Sequence, residues 1–168
     1  TRESSDIGLR TFAEIHASMS ALTGVAQQQS AVADVYQTIQ RQLPAAEAID
    51  TFVSAQQMAI TQLAIAYCNA AIEDTSLRQS WFPAADFSAS PAITYSLANR
   101  PLVVQPLLNR LMPLSPASSA SPADVEAELD ALITRLGTCS GACSSDRSFT
   151  IAKAACTAVL ASAELLLQ

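Results

Sequence analysis

Seven of the eight prolines in this 168-residue chain fall between residues 75 and 122 (Pro83, Pro91, Pro101, Pro106, Pro113, Pro116 and Pro122), and only Pro44 lies elsewhere. An interior proline loses a backbone hydrogen bond and clashes with the preceding turn, so long helices cannot cross that middle segment. By contrast, 46–74 contains neither Gly nor Pro. The chain is therefore divided into helix-permissive flanks and a middle of short helices and loops.

The flanks carry the signals that start, line and stop helices. Thr11 with Glu14 three residues on has the capping-box pattern, in which each side chain satisfies an orphaned backbone donor. Phe12, Ile15, Met19 and Leu22 then recur at helical spacing until Gly24 stops the run. After the Gln27-Gln28-Gln29 turn, Ser30 is expected to cap a second helix striped by Val32, Val35, Tyr36, Ile39 and Leu43 and ended by Pro44. The 46–74 stretch predicts the longest helix, with Ser54 as a point where it could break. Its Ile49, Phe52, Val53, Ala59, Ile60, Leu63, Ile65, Tyr67 and Ile72 make wide apolar faces, as in a central helix touched on several sides.

In the middle, a short helix is expected over 77–82, an irregular loop after it, and a helix over 103–112. Trp81, Phe82 and Phe87 cluster there. Isolated aromatics usually pin loops to a core; the sharper reading makes these three an exposed anchor for a partner. A small-residue linker, 115–121, ends at Ser121-Pro122, a cap followed by proline at the first helical position. The helix it opens is striped by Val125, Leu129, Leu132, Ile133 and Leu136 and stops at Gly137, and Asp146 can cap a last helix over 147–167. The fold class expected is all-α, an irregular bundle of about five to seven helices with a proline-rich middle, in a single domain over 1–168. The apolar half of the composition is dominated by Ala, the best helix former, and aromatics make up only 5%, which favours closely approaching helices over an aromatic-rich sheet.

Charge narrows the partners. The net charge is −6 and the basic residues, eight Arg and Lys153, are scattered, so the clustered cations that neutralise phosphates are missing and nucleic acid is not an expected partner. The most apolar stretch, 152–167, is interrupted by Lys153 and Glu164 and is shorter than the roughly 20 residues of a membrane span, so no direct membrane insertion is expected. No segment resembles a signal peptide, and the chain starts at Thr1, which reads as a processed product or a portion of a longer secreted protein.

Cys68, Cys139, Cys143 and Cys156 allow three pairings. Cys68 and Cys156 sit in strongly helical stretches, whereas Cys139 and Cys143 share a loop of small turn formers. That placement favours Cys68 with Cys156 and Cys139 with Cys143. The even count without metal-type spacing favours an oxidising compartment. Cys139 and Cys143 have the spacing of half a zinc site, but the only imidazole, His16, lies in the first helix, and no metal site is expected. Cys-x-x-Cys, for redox or covalent haem chemistry, is absent.

No catalytic constellation emerges. His16 has no Gly-x-Ser-x-Gly elbow to serve, and on a helix beside Phe12 and Ile15 it reads as a half-buried polar residue. Glu73-Asp74 and the acidic run Asp124, Glu126, Glu128 and Asp130 could be read as paired carboxylates or a cation site, but acids at helix ends are commoner. Four glycines, at 8, 24, 137 and 141, form no phosphate loop.

The segments Ile7-Gly8-Leu9-Arg10-Thr11-Phe12-Ala13-Glu14-Ile15, Leu63-Ala64-Ile65-Ala66-Tyr67-Cys68-Asn69 and Lys153-Ala154-Ala155-Cys156 resemble a helical region that accompanies laminin-G-like (concanavalin-type) domains in large secreted or surface proteins of Gram-negative, often marine, bacteria. The likeness runs over most of the chain and rests on packing and disulfide motifs. It implies a part of an extracellular or cell-surface protein, or a periplasmic one, with Cys68 and Cys156 as matching cysteines. No β-sandwich is present, so carbohydrate binding by a laminin-G-like domain does not transfer. The expected function is a non-enzymatic structural or interaction module that associates with a protein partner or with itself and needs no cofactor. The alternative is a helical binding protein for a small ligand such as non-covalent haem, held by Met19, Met58, Met112 and His16, although methionines more often fill gaps in cores.

Overall fold

Residues 11–42, 49–112 and 121–166 are described by the computed structural model, and among them are eight helices and no strand. These are α1 (Phe12–Thr23), α2 (Ser30–Gln42), α3 (Ile49–Glu73), α4 (Thr75–Trp81), α5 (Pro91–Thr94), α6 (Pro101–Leu111), α7 (Pro122–Leu136) and α8 (Arg147–Leu166). The all-helical expectation is met. The count exceeds five to seven because α5, a single turn of four residues opened by Pro91, lies inside the segment expected to be an irregular loop. One turn is too short to show apolar periodicity.

Local signals account for most boundaries. The capping box at α1 is complete, with the Glu14 N–H donating to Thr11 Oγ1 at 3.2 Å and the Thr11 N–H to Glu14 Oε2 at 3.0 Å. Gly24 closes α1 in the left-handed region (φ 78°), its N–H returning to the Ser20 carbonyl. Ser121 caps α7 through its hydroxyl, with Pro122 as the first helical residue. One expectation is corrected. Ser30 is the first residue of α2 instead of its cap, and the Gln29 carbonyl accepts from the Val32 and Ala33 N–H groups. Gly137 ends α7 in the right-handed region (φ −75°); glycine suits it because an added Cβ would meet the Ile133 carbonyl oxygen at 3.1 Å. Leu43, Pro44 and the linker up to residue 120 lie outside the described residues.

The longest helices, α3 with 25 residues and α8 with 20, pack more extensively on each other than any other pair, and α3 runs through Ser54 without a break. Ala64 and Ala71 share a stripe with Cys68, as Ala152 does with Cys156; all five are fully buried, so small side chains let the two backbones approach closely around the cysteines. Cys68 is bridged to Cys156, with Cα atoms 5.7 Å apart, and Cys139 to Cys143 at 5.4 Å. Lys153 reaches from α8 to Glu73 at the end of α3 (2.8 Å), and this pairing holds the Glu73 carboxyl below its usual range. Around this pair, α1, α2 and α4 pack on α3, and α5, α6 and α7 on α8.

Pro106 lies inside α6 and removes a donor to the carbonyl of Leu102, an exposed residue, where water can take its place. Among the described residues, no helix is long and apolar enough to cross a membrane.

Candidate functional site

The aromatic cluster is core. Trp81, Phe82 and Phe87 are all buried, with ring centroids 5.9 Å apart for Trp81 and Phe82 and 5.3 Å for Phe82 and Phe87, and Phe149 of α8 continues the chain at 5.7 Å. Arg110 lies over the Trp81 ring and Arg78 over Phe149, each at 5.0 Å. The packing reading of these three rings holds and the exposed-anchor reading is corrected: all three rings are buried, and none is left at the surface for a partner.

His16 is more buried than expected, at 5% exposure, where α1, α2 and α3 meet. Its ring stacks on Tyr36 (4.1 Å between centroids), and Nδ1 is 2.8 Å from the Tyr67 hydroxyl, which also donates to the His16 carbonyl at 3.2 Å. Burial lowers the His16 pKa, which favours the neutral ring, and pushes the Tyr67 phenol up to about 12. Beside His16 runs a cleft of about 550 Å³ lined by Ala13, Gln27, Gln28, Ala33, Tyr36, Gln37 and Gln40. No methionine lines it. Met19 is fully buried, Met58 is 66% exposed and Met112 is half-buried at the end of α6, so the three do not converge with His16 on this cleft.

The acidic residues are dispersed into structural roles. Asp74 caps α4 by accepting from the Leu77 N–H (2.9 Å), while Glu73 pairs with Lys153. In α7, Glu126 accepts from Gln105 (3.1 Å) and Asp130 faces Arg100 (3.8 Å). No group of three or more His, Cys, Asp or Glu among the described residues is placed to hold a metal ion.

What stands out at the surface was not singled out in the sequence. Ile93, Leu97 and Leu102 are 59%, 91% and 37% exposed, within ten residues of each other in the proline-rich middle. The segment that presents them is braced by side chains. Thr94 Oγ1 donates to the Asp86 carbonyl (2.7 Å), Tyr95 Oη to that of Ser148 (2.6 Å), and the Asn99 amide to that of Ile93 (2.9 Å). Arg100 is clipped to the Tyr95 and Asp130 carbonyls and to Thr134. A second apolar feature is a groove of about 430 Å³ between α2 and α3, lined by Asp34, Val35, Thr38, Ile39, Gln62 and Ile65. Met58, two turns before Ile65, continues its exposed edge. The signal that marks the first patch is charge: residues 87–109 contain Arg100 as their only ionised side chain.

Compared with family models, curated proteins and solved structures, the chain matches none. The laminin-G-associated resemblance thus rests on its sequence segments alone.

Proposed function

We propose that this chain is a non-enzymatic interaction module of an extracellular or cell-surface bacterial protein, docking protein partners through aliphatic side chains held on a braced frame. The observation that carries the reading is Leu97, 91% exposed on a turn whose backbone carbonyls are tied down by neighbouring side chains. Extended exposed apolar surface marks interaction sites, and Leu97 lies on the same braced segment as the exposed Ile93 and Leu102. The two disulfides support an oxidising compartment, and the resemblance supports a bacterial surface context. Cross-linking in the native cell-surface fraction, with the wild-type chain against a Leu97→Glu variant, tests it. Adducts that the variant loses are expected. Equal recovery from both, or native material whose four cysteines are alkylated without prior reduction, overturns it.

A second reading, a small ligand between α1 and α2, is favoured by one observation: a buried histidine at the wall of a polar cleft. In its haem version only His16 of the four proposed residues is available at that cleft. Natively purified material with a Soret band that His16→Gln abolishes would move the assignment there.

A further inference from the structure

We infer that the exposed aliphatic turn and the apolar groove are two halves of one contact, made head to tail between copies of this chain, with Leu97 of one copy seated between α2 and α3 of the next. The inference rests on the interaction-module reading and names the partner.

Both halves are carried by the same molecule on different faces. The groove lies between α2 and α3, while α5 at the base of the turn packs on α8. Tyr95 and Ser148 fix the turn to the start of α8, as the Ser148 hydroxyl donates to the Ala89 carbonyl (2.7 Å) and the Tyr95 hydroxyl to the Ser148 carbonyl. The turn therefore cannot fold back to fill the groove of its own chain. Between chains the chemistry matches. The groove, at about 430 Å³, has aliphatic walls in Val35, Ile39 and Ile65 and room for a leucine side chain.

Charge points the same way. The groove is lined by one ionised residue, Asp34, and the turn's segment carries one, Arg100, of opposite sign. Arg100 stays clipped to Asp130 (3.8 Å) and its carbonyl partners, so its charge is already balanced and the segment sets no unbalanced acid against Asp34. In a chain of net charge −6, copies repel over most of their surface. An approach by an acid-free segment is the one that brings the fewest like charges together. Because the two surfaces differ, the contact is heterologous and does not close on itself as a two-fold dimer does; repeated, it extends a row or closes a ring.

The test is sedimentation equilibrium of the oxidised full chain from micromolar to millimolar concentration, with Leu97→Glu and Ile65→Glu. Both positions are more than half exposed, and circular dichroism checks that each variant is folded. Wild type should gain mass beyond a dimer as concentration rises. Each variant alone should associate at least ten-fold more weakly. An equimolar mixture should regain wild-type affinity but stop at a 1:1 dimer, since one turn and one groove remain intact. Wild type that stays monomeric, a closed dimer insensitive to Ile65→Glu, or a mixture that fails to regain association overturns the inference. A monomeric wild type whose cross-linked adducts still depend on Leu97 removes self-docking alone and leaves the interaction-module reading in place.

Discussion

At the scale of single residues, His16 and the glycines show how environment decides a role. His16 is neutral in the folded chain because burial disfavours the imidazolium, so its folded pKa lies below the unfolded value near 6.5. The unfolded state then binds more protons as pH falls through 6.5, and stability is lost on acidification from there down to the folded pKa. Melting temperature should decline over that window in the wild type and stay flatter in His16→Gln. The exposed Glu73 and Asp86, whose carboxyls are lowered by Lys153 and by the Ser88 hydroxyl respectively, act in a separate, more acidic window that opens as pH falls through their unfolded values of 4.5 and 3.8. Gly24 offers a conformational test. Gly24→Ala forces a left-handed backbone on alanine, at about 1–2 kcal/mol, and places its Cβ 3.3 Å from Leu77 Cδ2. Gly141→Ala has the same backbone problem (φ 89°) but meets nothing within 4 Å. Urea unfolding should rank Gly24→Ala as the more damaging of the two.

At the scale of elements, the helices bounded by local chemistry were legible, and so were α4 and α6 in the middle to within two residues, whereas the single turn α5 was not. Thr11 with Glu14, Ser121 with Pro122, and the stripe Phe12, Ile15 and Met19 act within a few residues of themselves, so α1 and α7 start where the sequence says. The order of the α5 segment comes instead from partners far along the chain, such as Tyr95 on Ser148, 53 residues away, which no local pattern reveals. The same distance hid the site. In the sequence Trp81, Phe82 and Phe87 are open to both a core and an anchor reading, and only the folded chain, where all three are buried and Phe87 meets Phe149 of α8, decides for the core; the exposure of Leu97 likewise has no local signature. Removing the brace should therefore be felt locally. Tyr95→Phe removes the side-chain donor to the Ser148 carbonyl, which keeps its place in the α8 ladder, a loss of about 0.5–1.5 kcal/mol. Amide exchange over residues 93–99 should quicken more than that of α3 if the bond is what holds the segment still.

At the scale of the whole molecule, two crosslinks of similar chemistry do unequal work. The cysteine pairing itself was readable from where helices and loops fall, because only two of the four cysteines sit in a turn-forming loop. Cys68–Cys156 spans 88 residues and Cys139–Cys143 only 4. In the chain-entropy account the first contributes about 4–5 kcal/mol and the second about 2 kcal/mol. Replacing Cys68 and Cys156 together by Ala should lower the denaturant midpoint well beyond the change produced by the same replacement at Cys139 and Cys143. The longer bridge also sets how the chain bears tension. Pulled through handles at its first and last residues, the molecule would carry load from α3 straight into α8 across the sulfur atoms, leaving α4 to α7 slack however far the rest is drawn out. Reduction under load would then release the segment shielded between Cys68 and Cys156 as one step of about 300 Å in contour length.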